Sequence, residues 1–157
     1  AQARAASVRG CQARGLAPIR GTGRPAQEGA RSPSWPMGAL LCPAEPPFAE
    51  WEADGTLDVE NEGQWKGKAV KHVPRITKRG DGTISLEADH PMDAAERHYV
   101  ECLWIRDGAG AVLGYKLLRP SDGKAFADFK VPPGTTVTAY AKCTKHEVWK
   151  SSPFYVE

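Results

Sequence analysis

Residues 135–149 read TTVTAYAKCTKHEVW, and the first nine of them decide the fold. Val137, Ala139, Ala141 and Cys143 alternate with Thr136, Thr138, Tyr140 and Lys142. A period of two places one set on a buried face and the other on the opposite face, which is the pattern of a β-strand. Pro132-Pro133-Gly134 stops the preceding segment just before it.

The same grammar extends outward. Thr83–Ala88 sets Ile84, Leu86 and Ala88 against Thr83, Ser85 and Glu87. Residues 99–106 place Val100, Cys102 and Trp104 on one face. Asp107-Gly108-Ala109-Gly110 has the composition of a hairpin turn, with residues 111–118 returning. Residues 120–123 (PSDG) form another turn, and residues 125–131 alternate Phe126 and Asp128 with Ala127 and Phe129. Short strands at such regular spacing predict an all-β protein, an immunoglobulin-like antiparallel β-sandwich of about seven strands. Its expected span is residues 63–157. The inward Cys102 reads as a small core residue, the commonest role of a buried cysteine.

Upstream the pattern dissolves. Residues 1–47 are dominated by Pro, Gly, Ala, Ser and Arg and keep neither period. A segment of that kind has no core of its own. Residues 1–44 carry six Arg and one acid, a net +5, whereas residues 45–157 carry fifteen basic and eighteen acidic residues, a net −3. The chain therefore reads as a mildly acidic body behind a long, irregular, basic N-terminal extension, residues 1–62. The extension resembles an organellar targeting sequence, plastid more than mitochondrial, and Ala1 in place of Met suggests a processed chain. Without such targeting the location would be cytoplasmic. Residues 1–50 are expected to dock along a larger protein complex, with Trp35, Met37, Leu40, Leu41 and Phe48 as anchors, because ordering a coreless segment must offset its lost entropy. Residues 48–65 are acidic around a DG turn and read as a linker or a short hairpin, with Trp51 and Trp65 packing on the sandwich. No apolar run of eighteen residues exists, so no membrane span is expected. A net charge of +2 gives no argument for nucleic acid.

The four cysteines, Cys11, Cys42, Cys102 and Cys143, include no CxxC pair, which argues against a zinc ribbon or a disulfide framework. All four histidines lie in the body: His72, His90, His98 and His146. A lone histidine is more often structural than metal-bound. Here each sits near a predicted strand end or in a loop, and loops at one end of a sandwich can converge. Imidazoles with one thiolate suit Zn, Cu, Fe or Ni, so the residues by themselves indicate a metal site and leave the metal open.

Lys71-His72-Val73-Pro74, His90-Pro91-Met92, His98 before Tyr99, and Cys143-x-x-His146-x-x-Trp149 occur in that order. This ordered set, over about residues 66–152, closely resembles the superoxide reductase domain of neelaredoxin and desulfoferrodoxin. The resemblance implies one mononuclear non-haem iron, ferrous or ferric. Its equatorial nitrogens would come from His72, His90, His98 and His146, its axial thiolate from Cys143, and its sixth position would stay open. It implies reduction of superoxide to hydrogen peroxide with one electron and two protons, fed by an external donor, rubredoxin-like or another small redox protein. Lys71 matches the family's lysine and would attract superoxide and stabilise the developing product charge.

The sequence also departs from the family pattern. Val70 stands where Glu is common, Thr144 where Asn is usual, and Glu147 where Gly is usual. The step from His90 to His98 is longer than usual, so His98 is the ligand the resemblance carries least directly. The second iron centre of two-iron relatives needs four tail cysteines, and only Cys11 and Cys42 are there, so a single iron is expected. Two other functions fit the sequence less fully. One is an accessory subunit of a large redox complex such as a plastid photosystem, held by the basic extension. The other is a copper or zinc carrier, for which five protein ligands are more than transport needs.

Overall fold

The structure, a computed structural model, describes residues 45–157. Its spine is the strand Thr135–Cys143. After a short helix α1 (Phe48–Ala53), a two-residue strand β1 (Thr56–Leu57) and a one-turn helix α2 (Ala69–His72) come eight further strands. These are β2 (Arg75–Lys78), β3 (Thr83–Ala88), β4 (Val100–Asp107), β5 (Val112–Leu117), β6 (Ala125–Lys130), β7 (Thr135–Cys143), β8 (Val148–Lys150) and β9 (Phe154–Val156). Along β7, Val137, Ala139, Ala141 and Cys143 are all buried, as their alternation predicts.

One edge of β7 pairs with β4, from Val100 opposite Cys143 to Asp107 opposite Val137. The other edge is shared by β9, opposite residues 135–137, and β8, opposite residues 140–142. β5 extends the sheet beyond β4, and β1 joins β8 as its one parallel pair. The facing sheet is β2-β3-β6. Between the two layers lie Ile84, Leu86, Leu103, Ile105, Phe129, Val137, Ala139 and Ala141. The all-β sandwich is therefore as expected, with nine strands among the described residues rather than about seven. The additional short strands occupy the edges, where a two- or three-residue pairing carries too little pattern to read.

The sequence misassigns one face. Val100 pairs with Cys143 and Cys102 with Lys142, so Glu101 is an extra residue in β4. This bulge reverses the alternation. Val100 turns into the inter-sheet core beside Leu103 and Ile105, while Cys102 and Trp104 face the other way. That outer face is covered by α1. Phe48 packs on Trp104 at 5.0 Å and on Tyr115 at 5.5 Å between ring centroids, and Trp51 lies 6.0 Å from Trp104. Glu52 accepts hydrogen bonds from Trp104 Nε1 (3.2 Å) and Arg106 Nε (2.9 Å).

Phe48 is thus a core residue of this chain and not an anchor for a partner, and Trp51 packs on the sandwich as expected. The sandwich begins upstream of residue 63, because α1 supplies the apolar cover that Trp104 and Cys102 require. Trp35, Met37, Leu40 and Leu41 lie outside the described residues.

Phe48 is 4% exposed. Phe48→Ala is expected to lower the unfolding free energy by about 3 kcal/mol, the usual cost of removing a buried phenyl ring. A urea titration followed by tryptophan fluorescence measures it. A loss below about 1 kcal/mol would mean that α1 is not part of the cooperative fold.

Candidate metal centre

Four segments deliver five donors to one end of the sandwich. His72 is the last residue of α2, where Ala69 and His72, three residues apart, turn inward while Val70 and Lys71 stay exposed. Pro74 ends the helix, and Val73 before it is extended. His72 therefore sits at a helix end, not at the strand end or loop its sequence context predicts. The hydrophobic period of one helical turn is too short to be legible.

His90 lies two residues past the end of β3. His98 lies in a tight loop in which Asp93 and His98 exchange both backbone hydrogen bonds at 3.0 Å. Arg97 takes a left-handed φ of 49° to close it. Cys143 ends β7 opposite the bulged part of β4, and His146 lies in the connection to β8. Thr144 joins two of these segments. Its hydroxyl donates to Arg97 O (2.7 Å) and accepts from Tyr99 N (3.2 Å), and its own N–H donates to Tyr99 O (3.0 Å). This stitch brings the longer His90–His98 loop back to the others.

The five donor atoms all lie within 4.8 Å of one another. The imidazole rings form a closed square. Its edges, His72–His90, His90–His98, His98–His146 and His146–His72, measure 4.5, 4.6, 4.9 and 4.5 Å between centroids. The diagonal His72–His98 is 6.3 Å, close to that of a square with such edges. Neighbouring rings are nearly perpendicular, with interplanar angles of 79° to 85°. Cys143 Sγ lies 3.3 Å from His90 Nε2 and 3.4 Å from His146 Nδ1, which occupy opposite corners. The sulfur is thus nearly equidistant from these two opposite corners.

Hydrogen bonds select the converging nitrogens. His72 Nδ1 donates to Lys68 O (2.8 Å), and His90 Nδ1 donates to Pro91 O (2.6 Å). Each ring is thereby held as the tautomer whose Nε2 lone pair points into the square. Trp149, fully buried, lies against the face of His72 at 5.1 Å. Burial is the main reason all four imidazoles titrate low. It holds His72 and His90 down to about 4, and it lowers His98 and His146. The rings are neutral at pH 7, with lone pairs free. Burial also raises the Cys143 thiol, so a thiolate there requires a neighbouring cation.

These donors fit a metal ion. His98 Nε2 is buried without a hydrogen-bond partner. His72 Nε2 is 2.6 Å from His146 Nδ1 and 3.1 Å from His90 Nε2. Metal–nitrogen and metal–sulfur bonds of usual length place neighbouring donors ~3 Å apart. Four imidazole nitrogens and one thiol sulfur are one donor more than the tetrahedral set of a structural zinc.

The sequence did not single out Lys68, and it named Trp65 only as packing on the sandwich and Thr144 and Glu147 only as departures from the family pattern. Lys68 acts through its backbone carbonyl, which no side-chain pattern reports. Trp65 lies edge-to-face against His146 at 4.4 Å and donates from Nε1 to Glu147 Oε2. Burial opposes ionisation of Glu147, but its hydrogen bonds prevail and keep its carboxyl below the usual range. Lys71 is exposed beside the site, and its charge is among those that lower His90.

No family model and no curated protein match this chain. Solved structures do. A variant of the superoxide reductase (neelaredoxin) from Ignicoccus hospitalis superposes with a TM-score of 0.50 at 20% identity, covering 67% of this chain and 97% of that one. The single-iron superoxide reductase from Giardia intestinalis gives 0.44 at 22% identity, covering 55% and 98%. The fold is that of the superoxide reductases. The β-sandwich resemblance carried by the sequence motifs thus holds at the level of the whole domain.

His72 and His90 are neutral when folded down to about pH 4, while unfolded histidines take up protons near 6.5. The unfolded state therefore binds more protons in this window, and stability falls as pH drops from about 6.5 towards 4. Urea midpoints of the metal-free chain at pH 7.5, 6.0 and 5.0 are expected to decline steadily, and a flat profile would contradict the burial of these neutral rings.

Proposed function

We propose that this chain reduces superoxide to hydrogen peroxide at one iron ion held by His72, His90, His98, His146 and Cys143. The observation that carries this reading is the convergence of four imidazole nitrogens and the Cys143 sulfur within 4.8 Å of one another. Bound iron would supply the electron and an accessible coordination position. The protein's own groups account for the rest. Four neutral imidazoles and one thiolate leave a divalent ion with a net charge of +1, which attracts an anion. Cys143 is 1% exposed, so its sulfur is shielded from solvent and from direct oxidation. His98 and His146 are only partly buried, and Lys71 is exposed on the turn before His72.

Lys68 and Lys145 add to this field, since their charges, like that of Lys71, lower the neighbouring histidines. A cluster of cations around a small opening focuses an anionic substrate and raises its encounter rate. Superoxide takes one electron and two protons from the site and from solvent. A one-electron donor, rubredoxin-like or another small redox protein, then resets it.

Val70 stands where a carboxylate is common in the family and is 83% exposed. No acid side chain at that position competes for the open side of the square. Among the described residues no helix is long and apolar enough to cross a membrane. Residence in an organelle, plastid before mitochondrion, rests on the basic, acid-poor residues 1–44. Attachment to a larger redox complex rests on the same segment.

Reconstitution with ferrous iron followed by oxidation tests the centre. The expected result is about one iron per chain and a thiolate-to-ferric charge-transfer band that is lost in Cys143→Ser. Superoxide should be consumed without the oxygen release that dismutation gives. Zinc as the sole bound metal, or no superoxide consumption by the iron-loaded chain, would sink the reading.

Lys71→Met is expected to lower the second-order rate with superoxide by about tenfold and to weaken its dependence on ionic strength. Stopped-flow traces at two salt concentrations measure both. Unchanged rates would remove Lys71 from the reaction.

A further inference from the structure

The four imidazoles are not held alike. His72 and His90 each have a backbone carbonyl on the nitrogen that faces away from the square. His146 turns Nδ1 inward, and no hydrogen bond fixes the rest of its ring. Its neighbour is instead the indole of Trp65, edge-to-face at 4.4 Å and 69°. That indole is itself tied down. Trp65 Nε1 donates to Glu147 Oε2, and Gln64 Nε2 donates to Glu147 Oε1 at 3.0 Å. Both carboxylate oxygens of the residue after His146 are thus engaged by two consecutive residues of a distant loop.

The same loop reaches a second donor. Glu62 Oε2 accepts from Lys68 N at 3.1 Å, and Lys68 O accepts from His72 Nδ1. Trp65 O in turn accepts from Lys68 N–H at 3.0 Å. One short segment, residues 62–68, therefore braces two neighbouring corners of the square.

The geometry points to Trp65 as the positioning residue for His146, with Glu147 and Gln64 as its clamp. This deepens the proposed metal centre and rests on it. The physical case is one of substitution. A metal-bound imidazole usually has its orientation set by a hydrogen bond on its other nitrogen. Where that bond is missing, a ring wedged against the imidazole restricts its rotation by contact. An edge-to-face aromatic pair adds its own electrostatic preference. The indole can do this only while it is held in place, and the Glu147 carboxylate holds it. Trp65 supplies no donor atom of its own and would act through His146.

Cobalt(II) is the probe, because its thiolate charge-transfer band reports assembly of the site without superoxide. The chain is loaded with cobalt, a strong chelator is added in excess, and loss of the band is timed. Glu147→Ala and Trp65→Ala are expected to release cobalt on the order of tenfold faster than the unaltered chain. Glu147→Gln keeps an oxygen that can accept from the indole and is expected to stay near the unaltered rate. The double variant Trp65→Ala/Glu147→Ala is expected to be no faster than either single one, since the two groups act as a unit. Should Trp65→Ala fail to fold, the Glu147 pair carries the same comparison.

Melting of the metal-free chain separates this from a purely structural role. Variants that lower the melting temperature while releasing cobalt at the unaltered rate overturn the proposal. Additive rate effects in the double variant overturn it as well. If the unaltered chain binds no cobalt, the metal centre itself falls and the clamp with it. If it binds and all variants release alike, only the clamp falls.

Discussion

The site depends on one electrostatic constraint: five buried or half-buried donors point at a common centre, and nothing in the protein occupies it. Burial holds the imidazoles neutral and opposes ionisation of the thiol. Without a cation the arrangement is a cluster of facing lone pairs with an orphaned His98 nitrogen. With one, the same burial becomes an advantage, because a low-dielectric surround strengthens the attraction between thiolate and metal. The fold therefore has to supply the rigidity that the cluster lacks on its own.

The sandwich supplies it by hydrogen-bonded strands that end at one place. β3 delivers His90, β4 is preceded by His98, and β7 ends in Cys143. The Glu101 bulge lies opposite this end of β7 and turns Val100 into the core beside it. Bulges often stand beside sites of this kind, where they redirect a strand without breaking the sheet. Thr144 then fastens the His98 loop to the Cys143–His146 loop through three hydrogen bonds. The helical turn α2 and the loop before it close the remaining side. They pack through Ala69, Trp65 and Val73 onto Leu57 and Trp149, a small apolar layer beneath the histidines.

Much of this was legible in the chain. The alternation in Thr83–Ala88 and Thr135–Cys143 gives the buried faces correctly, because a two-sided sheet leaves a period of two in any strand of useful length. The motifs around His72, His90, His98, Cys143 and His146 single out the residues that the tertiary structure gathers. Three features escaped. The bulge is one inserted residue, invisible until the pairing partner is known. The helical turn holding His72 is too short to show a period. Residues 48–57 look like a linker because their few apolar side chains, Phe48, Trp51 and Leu57, acquire a face only when the sandwich offers one.

By itself the sequence determined the fold class, because alternation is a local property, and its resemblance to a known family singled out the five side chains that the tertiary structure gathers. It could not determine that the four rings meet in a square with the sulfur beside two opposite corners, or that Trp65 and Glu147 close over one corner. Those relations join residues as far apart as His72 and His146, and their separation in space is set by strand register and loop closure. Register and closure are settled only when both sheets bury their faces together.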